Sequence, residues 1–217
     1  MKKVADLYLW LDPRTRSRRV TRRTDLAIDG MARSANSYSY AALLYTHGDK
    51  LNISHHLHSP RVIERGVKFG LPTIVLIREP RAVLASVMQY DEDGSPEQFL
   101  EAYVSYYRAV EPLLDRVVLA DFDETIKDFG AVMARCNEKF GTDFVTYERS
   151  DEGEAWIRAK LDEILTTVLA PEDFESKAPR PSEHRRSVDE MMGDLAAGHR
   201  PQLAEAEQLY GRLITRR

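Results

Sequence analysis

Four clusters in this 217-residue chain carry side chains able to do chemistry. The first is a loop within Leu26 to Tyr45, LAIDGMARSANSYSYAALLY. There the apolar run Leu26, Ala27 and Ile28 enters a turn of small and polar residues, Asp29 to Ser37. Tyr38, Ala41, Ala42, Leu43 and Tyr45 then follow on a helical repeat. Strand, loop and helix in that order aim free backbone N–H groups and the positive end of a helix dipole at one point, which suits an anion. Arg33 and Ser34 add side-chain donors; taken alone, the pattern also describes an ordinary turn. Aligned to G-x-x-x-x-G-K-[ST], the loop reads Gly30, four residues, Ala35, Asn36, Ser37. The lysine that would reach the β and γ phosphates of ATP is missing, and a cation stands earlier, at Arg33.

The second cluster is His55, His56 and His58. Imidazole accepts a proton near neutral pH, which suits a general base, and a histidine hydrogen-bonded at a strand end is the structural alternative. A metal site is disfavoured: on a strand only His56 and His58 share a face, and neither a cysteine nor an H-x-x-x-H pair accompanies them. The third cluster is Arg78-Glu79-Pro80-Arg81 with Ser86. The fourth is Arg14 to Arg23, RTRSRRVTRR, with six arginines. It reads as a solvated loop, as a flap over an anionic cofactor or substrate, or as a nucleic-acid contact; its place just before the loop favours the flap over the last.

The elements that must hold these groups follow from periodicity. Val4 to Leu11, Leu26 to Ile28, Leu51 to Leu57, Thr73 to Ile77 and Val117 to Ala120 read as short buried strands. Between them Ser59-Pro60 opens a helix that Gly70 stops, and Pro80 starts one running to about Tyr90. After the acidic turn at 91–94, Ser95-Pro96-Glu97-Gln98 is a capping-box start. Phe99, Tyr103, Tyr106, Tyr107, Val110 and Leu114 form an apolar stripe, read as core packing. Asp121 to Glu124 reads as a structural turn, and Gly141 as the stop of the next helix. Trp156, Ile157, Leu161, Ile164, Leu165 and Val168 share a helix face that Pro171 ends. Ser182 caps a further helix, Pro201 to Ile214 is the last, and Arg216-Arg217 is expected to be solvated. Strands alternating with helices predict an α/β fold, three-layer, with a mostly parallel sheet, helices on both faces and a ligand at the carboxyl ends of the strands.

Three of the clusters resemble the sulfotransferase family. Its phosphosulfate loop reads roughly P-K-S-G-T-T-W, and Ala32 to Tyr38 reads A-R-S-A-N-S-Y, with Arg for Lys, Ala for Gly and Tyr for Trp. Its T-H-L-P element carries the general base, and His55 to His58 reads H-H-L-H, which places His56 there and His55 one register step away. IREPRAVLASV is similar to its 3′-phosphate element R-x-P-[RK]-x-x-x-x-S, with Arg78, Pro80, Arg81 and Ser86 in register. The spacing has a physical sense: Arg78 offers a planar fork of donors at a strand end, and Ser86 presents a hydroxyl two helical turns on.

The resemblance implies a P-loop NTPase-like sulfotransferase architecture and transfer of a sulfuryl group from 3′-phosphoadenosine 5′-phosphosulfate to a hydroxyl or amine of an unidentified small-molecule acceptor. It assigns Arg33, Ser34, Ala35, Asn36, Ser37 and Tyr38 to the phosphosulfate and Arg33 also to charge on the bridging oxygen. His56 becomes the base, Arg78 and Ser86 hold the 3′-phosphate, and Arg185 and Arg186 of PSEHRR belong to a late lid. No metal is expected. Ala35 replaces the loop glycine, and the family's dimerisation element is not reproduced, because Glu163 stands where lysine is expected although Thr167, Val168 and Glu172 fit. A P-loop kinase of a small metabolite and a catalytically inactive nucleotide-binding protein of the same fold are the alternatives.

Length and composition agree with one domain, 1–217, with a motif-bearing core at about 25–141 and a helical part at about 150–217. With 43% hydrophobic and 30% charged residues the chain has globular composition. No apolar run approaches the roughly 20 residues that span a bilayer, and MKKVADLYLWLD lacks the features of a signal peptide, so a cytoplasmic location and no membrane partner are expected. Cys136 is the sole cysteine, which excludes an intrachain disulfide. The formal net charge of −4 argues against general nucleic-acid binding.

Overall fold

A computed structural model describes residues 13–90, 94–166, 192 and 200–217. The expected strand Val4–Leu11, the residues Thr167, Val168, Pro171 and Glu172, and the Ser182 helix with Arg185 and Arg186 lie outside the described residues.

The sheet is built from runs too apolar to leave in water. In β1 (Leu26–Gly30) and β3 (Thr73–Ile77) every residue is buried, as expected of parallel strands covered on both faces. With β2 (Ile53–Ser54) and β4 (Val118–Asp121) they form a parallel sheet in the order β2-β1-β3-β4. Ala27 pairs with Thr73, Gly30 with Leu76 and Ile77 with Asp121. Alternate side chains feed two separate cores. Leu26, Ile28, Ile74, Leu76, Val118 and Ala120 pack with α1 (Asn36–His47), α6 (Phe129–Phe140) and α7 (Asp151–Thr166). Ala27, Val75, Ile77 and Leu119 face α2 (Pro60–Phe69), α3 (Pro80–Tyr90), α4 (Pro96–Val110) and the last helix, α8 (Arg200–Ile214). The α/β class and the three layers are therefore as the periodicity predicts. Among the described residues no helix is long and apolar enough to cross a membrane.

Several boundaries move, each for a local reason. Asp29 and Gly30 stay in β1 and Asn36 and Ser37 join α1, so the loop proper is only 31–35. Gly30 is required where β1 meets β3, since a Cβ there would run into the Leu76 backbone carbonyl. The expected strand Leu51–Leu57 contracts to Ile53–Ser54, because His56 (φ 53°) and His58 (φ 48°) take left-handed backbone that no strand accommodates. That also removes the face-sharing of His56 and His58 inferred from strand alternation. Asp121 to Glu124 opens α5 (Phe122–Lys127), with the Asp121 carboxylate accepting from the Asp123 N–H. The C-terminal arginines are exposed, as expected, and each also has an ionic partner: Arg217 donates to Glu124 at 2.5 Å, and Arg216 pairs with Asp115 at 3.5 Å.

Candidate functional site

The strand order reverses direction between β1 and β3, and the crevice at such a switch point is where open α/β sheets bind ligands. The loop 31–35 leaves β1 on one side of it, and Arg78 leaves β3 on the other. Asn36 shapes the loop from below: its Oδ1 accepts the Gly30 N–H at 3.0 Å and its Nδ2 donates to the Met31 carbonyl at 2.9 Å. Asn36 occupies the Walker lysine position, and these two bonds hold its side chain away from any phosphate.

Arg33 and Ala35 take φ of 67° and 68°, so with His56 and His58 the non-glycine residues of left-handed backbone among the described residues all fall in the two loops after β1 and β2. Strain of this kind, costing about 1–3 kcal/mol per residue, persists only where surrounding structure holds it, and it gathers at functional sites. Ala35 gives α1 no side-chain cap, whereas Ser59, Ser95, Asp121 and Asp128 cap α2, α4, α5 and α6. Glu79 does the same for α3, accepting from the N–H groups of Arg81 and Ala82 at 3.0 and 2.8 Å. The first turn of α1 thus keeps its amides for something other than a protein side chain.

Two residues from distant motifs meet the loop. Arg33 Nε donates to Ser86 Oγ at 3.0 Å, and Arg78 Nη1 donates to the Arg33 carbonyl at 3.1 Å. The Arg78 guanidinium lies 3.8 Å from the centre of the Phe122 ring, a cation–π contact that fixes its plane. Arg81, though in register, points away and pairs with Glu207 of α8 at 3.7 Å. From the other side, Ser37 Oγ lies 2.9 Å from His56 Nε2, and His56 Nδ1 lies 2.7 Å from His55 Nδ1. The His55 ring is stacked on Tyr40 at 3.6 Å. Two proton arrangements satisfy this chain; in one of them His56 donates from Nδ1 to His55 and accepts the Ser37 hydroxyl on Nε2. His58 turns elsewhere, donating from Nδ1 to the Gly30 carbonyl at 2.8 Å.

Not every expected contact residue faces the crevice. Ser34 is fully buried beneath the loop, Asn36 serves the loop itself, and the Tyr38 hydroxyl donates to Glu154 of α7 at 2.8 Å. Tyr147 donates to the same carboxylate oxygen at 2.8 Å and Arg149 to its other oxygen at 3.2 Å, so Tyr38 anchors α1 to α7. Conversely, Tyr103 and Tyr107 do more than pack. Tyr107 donates to the Leu76 carbonyl at 2.8 Å and accepts the Met31 N–H at 3.4 Å, bridging β3 to the loop; Tyr103 donates to the Arg78 carbonyl at 2.8 Å. The available signal was tyrosine, rather than phenylalanine, at two positions of an otherwise apolar stripe, since a buried hydroxyl needs a partner.

Electrostatics set the histidines apart. Burial, with the neighbouring imidazoles and Arg18, pushes His56 down to about 2; burial, with Arg18 and His58, pushes His55 down to about 3. Both are neutral in the fold but protonate near 6.5 once unfolded, so their contribution to stability is complete above about pH 6.5 and is lost as pH falls below it. Urea midpoints at pH 7.5 and 5.0 should differ by the equivalent of about 2–4 kcal/mol, and His55→Phe should remove roughly half of that difference. Burial raises the Asp29 carboxyl, which therefore gains its proton earlier in the fold than in the unfolded chain and opposes the loss at the acid end.

No protein-family model matches the chain, and no curated protein matches it by sequence. Among solved structures, the mouse sulfotransferase SULT7A1, crystallised as a complex with PAP, is similar over 90% of this chain and 91% of that one, with 12% sequence identity and a TM-score of 0.45.

Proposed function

We propose that the chain is a sulfotransferase that moves a sulfuryl group from 3′-phosphoadenosine 5′-phosphosulfate to a hydroxyl or amine acceptor. The observation that carries this reading is the convergence of three motifs separated in sequence. Arg33 with Ser37, His56, and Arg78 with Ser86 are joined by hydrogen bonds of 2.9 to 3.1 Å around one crevice. The donor set is right for a nucleotide with anionic groups at both its 3′ and 5′ positions: two guanidinium groups, two hydroxyls and the uncapped amides of α1.

In this reading Arg33, Ser37 and the α1 amides hold the phosphosulfate, and Arg78 and Ser86 hold the 3′-phosphate. Ser86 then exchanges the Arg33 guanidinium for phosphate, which frees Arg33 to face the bridging oxygen where charge builds as the sulfuryl group leaves. His56 Nε2 takes the acceptor proton. Sulfuryl transfer through a loose, in-line transition state asks mainly for positioning and charge stabilisation, which this set of groups supplies without a metal. A kinase reading is less well supported, because Asn36, at the lysine position, is committed to the loop backbone.

Thermal unfolding tests the donor. At about 100 times its dissociation constant, adenosine 3′,5′-bisphosphate should raise the midpoint by roughly 5–11 °C, with little effect from ATP plus magnesium. A rise with ATP alone would replace the reading with the kinase. Absence of sulfate transfer to any acceptor, with the bisphosphate still bound, would leave an inactive nucleotide-binding protein.

A further inference from the structure

The cations beside the candidate base are concentrated on one edge of the sheet. Residues 14–23 hold six arginines and no carboxylate in a chain of net charge −4. The short 3-10 helix Pro13–Arg18 packs against the end of β2: Ser54 Oγ donates to the Arg18 carbonyl at 2.6 Å, and Arg18 Nη1 donates to the His56 carbonyl at 3.4 Å. Val20 is fully buried, and its carbonyl accepts Arg65 Nε at 3.2 Å, which fixes the segment to α2. Arg16, Arg22 and Arg23 are left exposed. The outer side of α2 extends the patch with Arg61, Arg65 and Lys68 against the single carboxylate of Glu64. The nearby Asp25 is engaged by Asn52, whose backbone N–H it accepts at 2.8 Å.

The placement separates this patch from the donor crevice. The crevice lies between β1 and β3, at the centre of the sheet, whereas the arginines lie at β2, the edge strand beside β1, and His56 follows β2 with its Nε2 beside Ser37 of α1. The base therefore stands between the two. Concentrated charge of one sign repels itself and draws oppositely charged substrate to the surface. Among the described residues the patch also offers no open surface for stacking bases. Between residues 13 and 25 there is no aromatic residue, and Phe69, the one aromatic residue of α2, has the guanidinium groups of Arg22 and Arg65 at 5.3 and 5.2 Å from its ring centre. Single-stranded nucleic acids are held by just such aromatic platforms.

We infer that this face receives the acceptor and that the acceptor is an acidic oligosaccharide, a chain of hydroxyl groups with several negative charges of its own. The inference rests on the sulfotransferase reading. In the step, an acceptor hydroxyl oxygen forms the new O–S bond, the bond from sulfur to the phosphate oxygen breaks, the leaving bisphosphate carries away the electron pair and His56 takes the hydroxyl proton.

The test uses fluorescent oligogalacturonate and hyaluronan oligosaccharides, a neutral maltooligosaccharide of equal length and a single-stranded oligodeoxynucleotide of equal charge. The protein is wild type or R16E/R23E, whose altered side chains are exposed and make none of the contacts that hold the segment. At least one acidic oligosaccharide should bind wild type and accept labelled sulfate, and the maltooligosaccharide should do neither. R16E/R23E should weaken that binding by about tenfold or more and raise KM accordingly, with the thermal shift from the bisphosphate unchanged. Equal binding by R16E/R23E, tighter binding of the oligodeoxynucleotide, or sulfation of the neutral chain but not the acidic ones would overturn the inference while the donor reading stands. Loss of the bisphosphate shift in wild type is the separate result that overturns the donor reading, and the acceptor assignment with it.

Discussion

Replacing His56 with alanine is expected to lower kcat by about 10²–10⁴-fold, the usual yield of a positioned general base, while adenosine 3′,5′-bisphosphate still binds within about threefold of wild type. The split follows from geometry. Of the groups proposed to hold the donor only Ser37 touches the imidazole, at 2.9 Å, and Arg33, Arg78 and Ser86 are bonded to one another without it. His55 stands behind His56, stacked on Tyr40 and joined through Nδ1; when His55 Nδ1 accepts the His56 proton, the lone pair of His56 is left on Nε2. His55→Phe should therefore cost less turnover than His56→Ala; the reverse order would make His55 the base. With His56 pushed down to about 2 by burial and its cationic surroundings, the free protein already holds neutral imidazole throughout the physiological range. The acid limb of kcat/KM should then be absent between pH 5.5 and 8 after correction for unfolding, whereas an ordinary histidine would show a break near 6.5. A weak base of this kind gains strength as the negative charge of the donor arrives beside it. Unchanged turnover in His56→Ala would end the assignment.

The sequence was most informative where local chemistry and tertiary need agree. Thr73 to Ile77, all apolar or β-branched, is a strand with the boundaries its composition predicts, and the helix after it brings Ser86 within 3.0 Å of Arg33. Caps were equally legible: Ser59 and Ser95 accept from their own helices, and Gly70 and Gly141 take the left-handed backbone that stops a helix. What was hidden depended on partners far along the chain. The left-handed His56 and His58 are held by Arg18 and by the Gly30 carbonyl, 38 and 28 residues away, and no local preference announces them. Small polar loop residues are ambiguous for the same reason. Ser34, Asn36 and Ser37 offer similar groups, and only the surrounding fold decides that Ser34 is buried, Asn36 holds the loop backbone and Ser37 meets His56. Phe122, read as part of a structural turn, becomes the platform for Arg78 because β3 and β4 end side by side, with Ile77 paired to Asp121.

Arg78 bears the second large effect, and here the ligand distinguishes a binding role from a structural one. In the proposed site it faces the 3′-phosphate, the group that separates this donor from adenosine 5′-phosphate. Arg78→Ala should weaken adenosine 3′,5′-bisphosphate by about 10²-fold or more, the cost of removing one partner of a desolvated charge pair, and weaken adenosine 5′-phosphate by less than about fivefold. Its other contacts make the comparison necessary. The side chain also donates to the Arg33 carbonyl and lies over Phe122, so its loss could loosen the loop, but a looser loop would weaken both nucleotides alike. Arg78→Lys keeps the charge and gives up the planar fork, and should recover only part of the preference for the bisphosphate. Ser86→Ala, which removes one hydroxyl from the same phosphate, should cost about tenfold on the bisphosphate and nothing on the monophosphate. Calorimetric titration of both nucleotides into the three variants measures the ratio directly. Equal losses on the two ligands would make Arg78 a brace for the loop, and the 3′-phosphate would have to be held by other groups.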